Sequence, residues 1–578
     1  MLSDKTEVQE YDVIVVGSGI TGGWAAKEFC EKGFKTLVIE RGRHVEHRGP
    51  EYKDMQSPWE LQNRNLGSEF FDEENRYRML KRKFGKLKTE FMHFFADEKE
   101  MPYSYPKDRP FMWTRGNQLG GRSLTWARMS LRWGKKDFEA NEKDGYGVPW
   151  PIGYEDLAPW YDYVESYIGV SGNKDGLETV PDGVFQKPWE MSCAEKYVAD
   201  NIAKHYEDRR LIIGRTANLT EPTTEQQSLG RAQCQARSYC KRGCTFGAYF
   251  SSLSATLPSA QRTGNLTIVT DAIASHVDYD EVSGNASGVT VVDAKTKEQR
   301  SYKSRVVFLC ASALGSVQIM LNSKSKSFPN GIANSSGAVG RYIMDHFTGV
   351  RAEATIPGFE DKFSIGRRPI ATYIPNYRHE QTDDVDFVRG YGFQVTAGAR
   401  AKTGNAAKRE GIGAAIKSQV GKPMQWKIRA FMYAEILPNY NNRATLHPTK
   451  TDQWGIPQLH IDAQIGDNER KMTKQAAIDI REMLEVGGCT NIKVKIEPDK
   501  RHIMLGARTH EMGGAAMGSD PTTSVLNKWS QTHDVKNLFV TDGAAMSSST
   551  AQNPSLTYMA LTARAADYAA DLMNKGML

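Results

Sequence analysis

The N-terminal stretch YDVIVVGSGITGGWAAKEFCEKGFKTLVIERG, from Tyr11 to Gly42, constrains the fold more than any other part of this chain. An apolar run from Val13 to Val16 leads into Gly17-x-Gly19-x-x-Gly22, a helix-like segment, a second apolar run from Thr36 to Ile39, and Glu40 at its end. That order predicts a strand, turn, helix, strand unit. Gly17 permits a tight turn, Gly19 lets the backbone approach a pyrophosphate, and Gly22 lets the helix pack closely, while the helix N-terminus attracts phosphate charge. Glu40 stands where an acid binds ribose hydroxyls. The unit therefore predicts dinucleotide binding, without distinguishing FAD from NAD.

At 578 residues the chain is too long for one hydrophobic core and is expected to divide into at least two domains. Its 39% hydrophobic and 25% charged residues are ordinary for a globular protein, and no apolar run approaches membrane-spanning length. A balance of 75 basic against 69 acidic residues, net +6, gives no argument for a nucleic-acid partner. The polar lead-in MLSDKTEVQE lacks the pattern of a secretory signal, so export is expected to need help from another chain. RYRMLKRKFGKLK, from Arg76 to Lys88, carries seven basic side chains and is expected to be a solvated helix face or excursion, the alternative being a docking patch for an acidic partner.

CQARSYCKRGC, from Cys234 to Cys244, gathers three of the seven cysteines, spaced by five and then three residues. Disulfides use cysteines in pairs, and zinc usually takes four ligands. Three cysteinates suit an iron–sulfur cluster lacking one iron corner, and three quiet thiols are the alternative. Cys30, Cys193, Cys310 and Cys489 are scattered and read as ordinary buried residues.

Four further segments follow in order: RGNQLGGRSLTWARMSLR (Arg115 to Arg132), VVFLCASALGSVQIML (Val306 to Leu321), VGRYIMDH (Val339 to His346) and NLFVTDGAAMSSSTAQNPSLTYMALTARAADYAADL (Asn537 to Leu572). With the N-terminal unit they resemble the glucose-methanol-choline oxidoreductases from about Tyr11 to the C-terminus. The resemblance implies a mixed α/β fold: a Rossmann-like FAD-binding domain and a substrate domain built on a mostly antiparallel sheet. The expected FAD-domain pieces are 1–147, 230–349 and 501–578, and the substrate-domain pieces are 148–229 and 350–500. The resemblance also implies that Gly120, Gly121 and Ser123 lie against the flavin and Asp542 with Gly543 near the pyrophosphate or ribityl chain. It makes His510 the base that takes the hydroxyl proton and Asn553 its partner. Taken alone, His510 reads as a structural histidine, and Asn553 as a helix cap with Pro554 at the first helical position.

Several relatives attach flavin through a histidine just after the paired glycines. Here GGRSLTW places Thr125 and Trp126 in that region, so dissociable FAD is expected. CQARSYCKRGCTFGA is similar to the segment of bacterial FAD-dependent glucose and fructose dehydrogenases and glucoside 3-dehydrogenases that binds a three-iron, four-sulfur cluster, which implies that Cys234, Cys240 and Cys244 are ligands. The expected reaction is dehydrogenation of a sugar hydroxyl, at ring C3 of glucose, a glucoside or a disaccharide, with electrons leaving singly through the cluster to a cytochrome or other one-electron acceptor, a cytochrome c being the implied partner. An oxygen-using sugar oxidase and a non-catalytic flavin electron-transfer subunit are the alternatives. A small subunit carrying an export signal is the implied partner, with periplasmic residence by co-export, or a cytoplasmic location without it. Substrate-pocket residues are expected between 350 and 500, with Glu435 and Asn439 to Arg443 as candidates.

Overall fold

Apolar runs without polar alternation suit strands buried on both faces, and five segments stack here as parallel neighbours. Glu10–Val16 lies between Thr36–Ile39 and Gln299–Leu309, with Leu266–Val269 outside the first and Leu538–Val540 beside the second. Ala272–Asp280 and Asn285–Asp293 extend this into a seven-stranded sheet. The sequence QRSYKSRVVFL of Gln299–Leu309 is polar first and apolar last, and its pairing changes accordingly. Its exposed first half pairs antiparallel with Asn285–Asp293, and its buried second half pairs parallel with Leu538–Val540. The computed structural model describes residues 10–57, 59–61, 76–84, 89–364, 368–378, 385–399, 411–420, 425–496 and 504–578.

A second, six-stranded sheet is antiparallel throughout, in the order Thr490–Ile496, Val350–Ile356, Trp426–Ala434, Tyr391–Gly398, Thr372–Ile374, Ile212–Ile213. Alternate residues of Trp426–Ala434 are buried, as period-two geometry requires of a strand with one packed face. The fold is thus the mixed α/β arrangement expected from the sequence.

The N-terminal turn shows why its glycines are glycines. Gly17 has φ 99°, and a Cβ there would stand 2.4 Å from the Cys310 carbonyl oxygen. Gly22 lies inside the helix Ile20–Glu31, and a Cβ there would stand 1.7 Å from the Gly17 carbonyl oxygen. Gly17, Glu40, Cys310 and Thr541 each follow the end of a parallel strand, so their carboxyl ends meet along one edge. That edge is where open α/β sheets bind ligands. The alanine-rich helix Ser555–Asn574 packs against both Ile20–Glu31 and Tyr154–Ile168, and its first turn reaches the same edge.

Candidate active site

A cleft of about 540 Å³ runs along this edge toward the six-stranded sheet. Gly17, Gly19, Glu40, Gly121, Ser123, Asp542 and Gly543 line it, together with His510 and Asn553. Gly22 and Gly120 are not on its wall. Gly120 donates its N–H to the Ser18 hydroxyl at 2.8 Å, and that hydroxyl donates to Glu40 at 2.5 Å, so Ser18 ties the two glycine turns to the acid. Burial pushes the Glu40 carboxyl up. Both oxygens of Asp542 are engaged, by Ala544 N–H at 2.9 Å and Ser316 hydroxyl at 2.5 Å, and Ser123 donates to the Gly120 carbonyl. These side chains brace the wall.

The wall suits a dinucleotide. A Cβ at Gly19 would meet nothing within 4 Å, leaving that backbone open to close approach. Two buried donors on the cleft, Arg41 Nε and Trp113 Nε1, have no hydrogen-bond partner among the described residues. A ligand rich in phosphate and carbonyl oxygens would satisfy such groups.

At the other end the chemistry converges. His510 is half-buried on the wall, and Asn553 Nδ2 lies 3.3 Å from its Nε2. Asn553 does not cap the following helix. That helix starts after Pro554 with no side-chain cap, while the Asn553 amide oxygen accepts from Gln394 Nε2 at 3.0 Å. On the far side of His510, its Nδ1 lies 2.6 Å from Nδ1 of the fully buried His346. Asp345 accepts from the backbone N–H of His510 at 2.9 Å and of Arg508 at 3.1 Å, holding a turn in which Thr509 has φ 61°. Arg122 pairs with Glu511 at 2.8 Å, joining the Gly120–Gly121 turn to the His510 segment. Burial holds His510 well below 6.5, and the neighbouring His346, Lys83, Arg122 and Arg508 add to that effect. A neutral imidazole facing an open cleft can take a proton from a hydroxyl.

Sequence reasoning missed Ser18, Arg122, His346, Gln394 and Tyr433. The first three sit inside quoted motifs, but Gln394 and Tyr433 come from strands without a motif. Glu435 and Asn439 to Arg443 do not line the cleft. Glu435 is buried off the cleft wall, accepting from Asn376 Nδ2 and Gly390 N–H at 3.3 Å each, so the pocket expectation is corrected toward Gln394 and Tyr433. The basic stretch is also corrected in part. Lys83, at the end of the helix Arg78–Phe84, lines the cleft, where burial pushes its amine down to about 7 against the attraction of Glu511 and Asp345. Residues 85–88 lie outside the described residues.

Cys234, Cys240 and Cys244 are half-buried, and each of Cys234 and Cys244 is close enough to the other cysteines to feel their charge. Burial pushes the Cys234 thiol up to about 11 and raises the Cys244 thiol too. Among the described residues, no three His, Cys, Asp or Glu side chains are arranged to hold a metal ion. The expected three-cysteine ligand set is not formed in this structure. Cys30, Cys310 and Cys489 are buried as expected, whereas Cys193 is exposed.

Two family models, both described as GMC oxidoreductase, match residues 11–348 and 438–562. The chain belongs to the GMC oxidoreductases. This makes it an FAD enzyme acting on CH–OH groups, a cofactor its cleft suits. It is 27% identical to 2-methyl-1,2-propanediol dehydrogenase of Mycolicibacterium austroafricanum, over 97% of this chain and 96% of that one. It is 26% identical to the fructose dehydrogenase large subunit of Gluconobacter japonicus, over 97% and 98%. Among solved structures, a formate oxidase of Aspergillus oryzae RIB40 superposes with a TM-score of 0.60 at 13% identity, covering 99% of this GMC chain and 100% of its own. That likeness speaks to the fold alone.

Proposed function

We propose that this chain is the catalytic subunit of an FAD-dependent sugar dehydrogenase that oxidises a ring hydroxyl, at C3 of glucose, a glucoside or a disaccharide, to a ketone. The observation that carries the reading is the pairing of His510 Nε2 with Asn553 Nδ2 on the cleft that the Gly17 turn also lines. Bound FAD supplies the acceptor for a hydride. Gly17 to Gly19 and Glu40 hold the adenosine and pyrophosphate side, and Gly121 and Ser123 border the flavin. Thr125 offers no attaching imidazole, so the FAD is dissociable. His510 takes the hydroxyl proton at Nε2. Asn553, held by Gln394, orients the hydroxyl, and Tyr433 with Gln394 forms the wall nearest the sugar.

The sugar is supported by the likeness to a fructose dehydrogenase large subunit, which also supports a smaller partner chain. Among the described residues, no helix is long and apolar enough to cross a membrane. Periplasmic residence by co-export with that partner, and delivery of single electrons to a cytochrome c, complete the reading. A three-iron, four-sulfur cluster at Cys234, Cys240 and Cys244 rests on the spacing and nearness of these cysteines and requires their side chains to turn together. Iron and sulfide content of protein made anaerobically tests it. The reaction is tested by mixing the enzyme anaerobically with glucose, methyl glucoside and sucrose and identifying the product. Flavin bleaching with a 3-keto product supports the reading, and peroxide formation in air at the rate of turnover would move it to an oxidase. No bleaching by any sugar, with bleaching by a simple diol, would remove the sugar.

A further inference from the structure

VGRYIMDH ends in a histidine to which neither the cofactor reading nor the proton reading gives a task. Yet His346 is wholly buried and touches the proposed base directly. Its two ring nitrogens have different partners: Nε2 meets the Thr550 carbonyl oxygen, and Nδ1 meets His510 Nδ1 at 2.6 Å.

A carbonyl oxygen can only accept, so His346 Nε2 must carry a proton. Burial pushes the His346 pKa down to about 4, which leaves a neutral ring near pH 7 and therefore a bare Nδ1. A bare nitrogen 2.6 Å from His510 Nδ1 requires that Nδ1 to be the donor. His510 is itself neutral, so its Nε2 bears the lone pair. That lone pair faces the cleft and the Asn553 amide, which can donate to it.

We propose that His346 is a positioning residue that fixes the tautomer of His510, leaving Nε2 as the atom that receives the substrate proton. The Thr550 carbonyl sets the tautomer of His346, and His346 passes that choice to His510. Asp345, its sequence neighbour, sets the His510 backbone through two N–H groups, so the Asp-His pair aligns both main chain and ring. When Nε2 gains the hydroxyl proton, His510 keeps its Nδ1–H bond to His346, so the bond that orients the base survives its protonation. A free imidazole would divide between two tautomers, one of them unable to accept at Nε2.

This proposal deepens the reading of His510 as base and depends on it. The test compares anaerobic flavin reduction in wild type, His346→Leu, His346→Asn and His510→Ala at equal flavin content. His346→Leu removes the acceptor and should lower the limiting rate of reduction by about ten- to a hundred-fold with little change in sugar affinity. His346→Asn can place its amide oxygen near the lost Nδ1 and should recover much of that rate. A wild-type rate in His346→Leu, or no recovery in His346→Asn, overturns the proposal while leaving the base in place if His510→Ala is slow. A normal rate in His510→Ala overturns both. Histidine ¹⁵N NMR of the wild-type holoenzyme decides the tautomers without relying on a variant. Protonated Nδ1 with bare Nε2 at His510 is expected, and the reverse pattern overturns the proposal.

Discussion

At the residue scale, Asn553 is held between two partners: its amide oxygen accepts from Gln394 Nε2 at 3.0 Å, and its Nδ2 lies 3.3 Å from His510 Nε2. Replacing Gln394 with Ala should free the Asn553 amide to rotate and slow flavin reduction by about tenfold or less, with FAD content unchanged. Stopped-flow reduction checks this, and a wild-type rate would remove Gln394 from the orienting chain. The pH dependence follows from the depressed His510 pKa. A lowered pKa keeps the base neutral as pH falls through its ordinary 6.5, so the rate of flavin reduction should persist there and decline only at lower pH. An acid limb centred at or above 6.5 would show that the base is another group.

At the element scale, SSSTAQN, from Ser547 to Asn553, is a polar segment buried in the interior with most of its polar groups bonded, the Gln552 amide oxygen being an exception among the described residues. Ser547 donates to the Met517 carbonyl, Ser549 bridges the backbone of Ile436, Tyr373 donates to the Ala551 carbonyl at 3.2 Å, and Gln552 donates to Asp137 at 3.0 Å. Replacing Tyr373 with Phe leaves a buried carbonyl unpaired and should cost about 1–3 kcal/mol of stability, measured by denaturant unfolding. An unchanged midpoint would mean that this bond contributes nothing. The N-terminal unit was legible because its logic is local: turn, helix and acid lie within one supersecondary motif. The His346–His510 contact was not, because 164 residues separate its partners and no periodicity links them. A Gly22→Val variant should lose FAD, since its Cβ would drive the helix off the Gly17 turn. Flavin absorbance per protein measures this, and full occupancy would contradict the packing argument.

At the scale of the whole molecule, one cleft joins two sheets with different tasks. The parallel sheet contributes strand ends and glycine turns that suit a dinucleotide, and the antiparallel sheet contributes Gln394 and Tyr433. Patterning along the chain indicated the first parallel strands, and family likeness alone implied the antiparallel sheet, but neither located the wall between them. Nor could it show how the cysteines stand, because spacing along the chain does not fix side-chain directions. Cys240→Ser should lower iron content and cytochrome reduction while sugar still bleaches the flavin. Cytochrome reduction at the wild-type rate without iron would remove the cluster from the electron path. Anaerobic stopped-flow reduction of His510→Ala tests whether His510 is the base for oxidation of a CH–OH group at the bound flavin. Full FAD content is expected, with reduction slowed by about a hundred- to ten-thousand-fold. Reduction at the wild-type rate in a fully loaded variant would contradict that role.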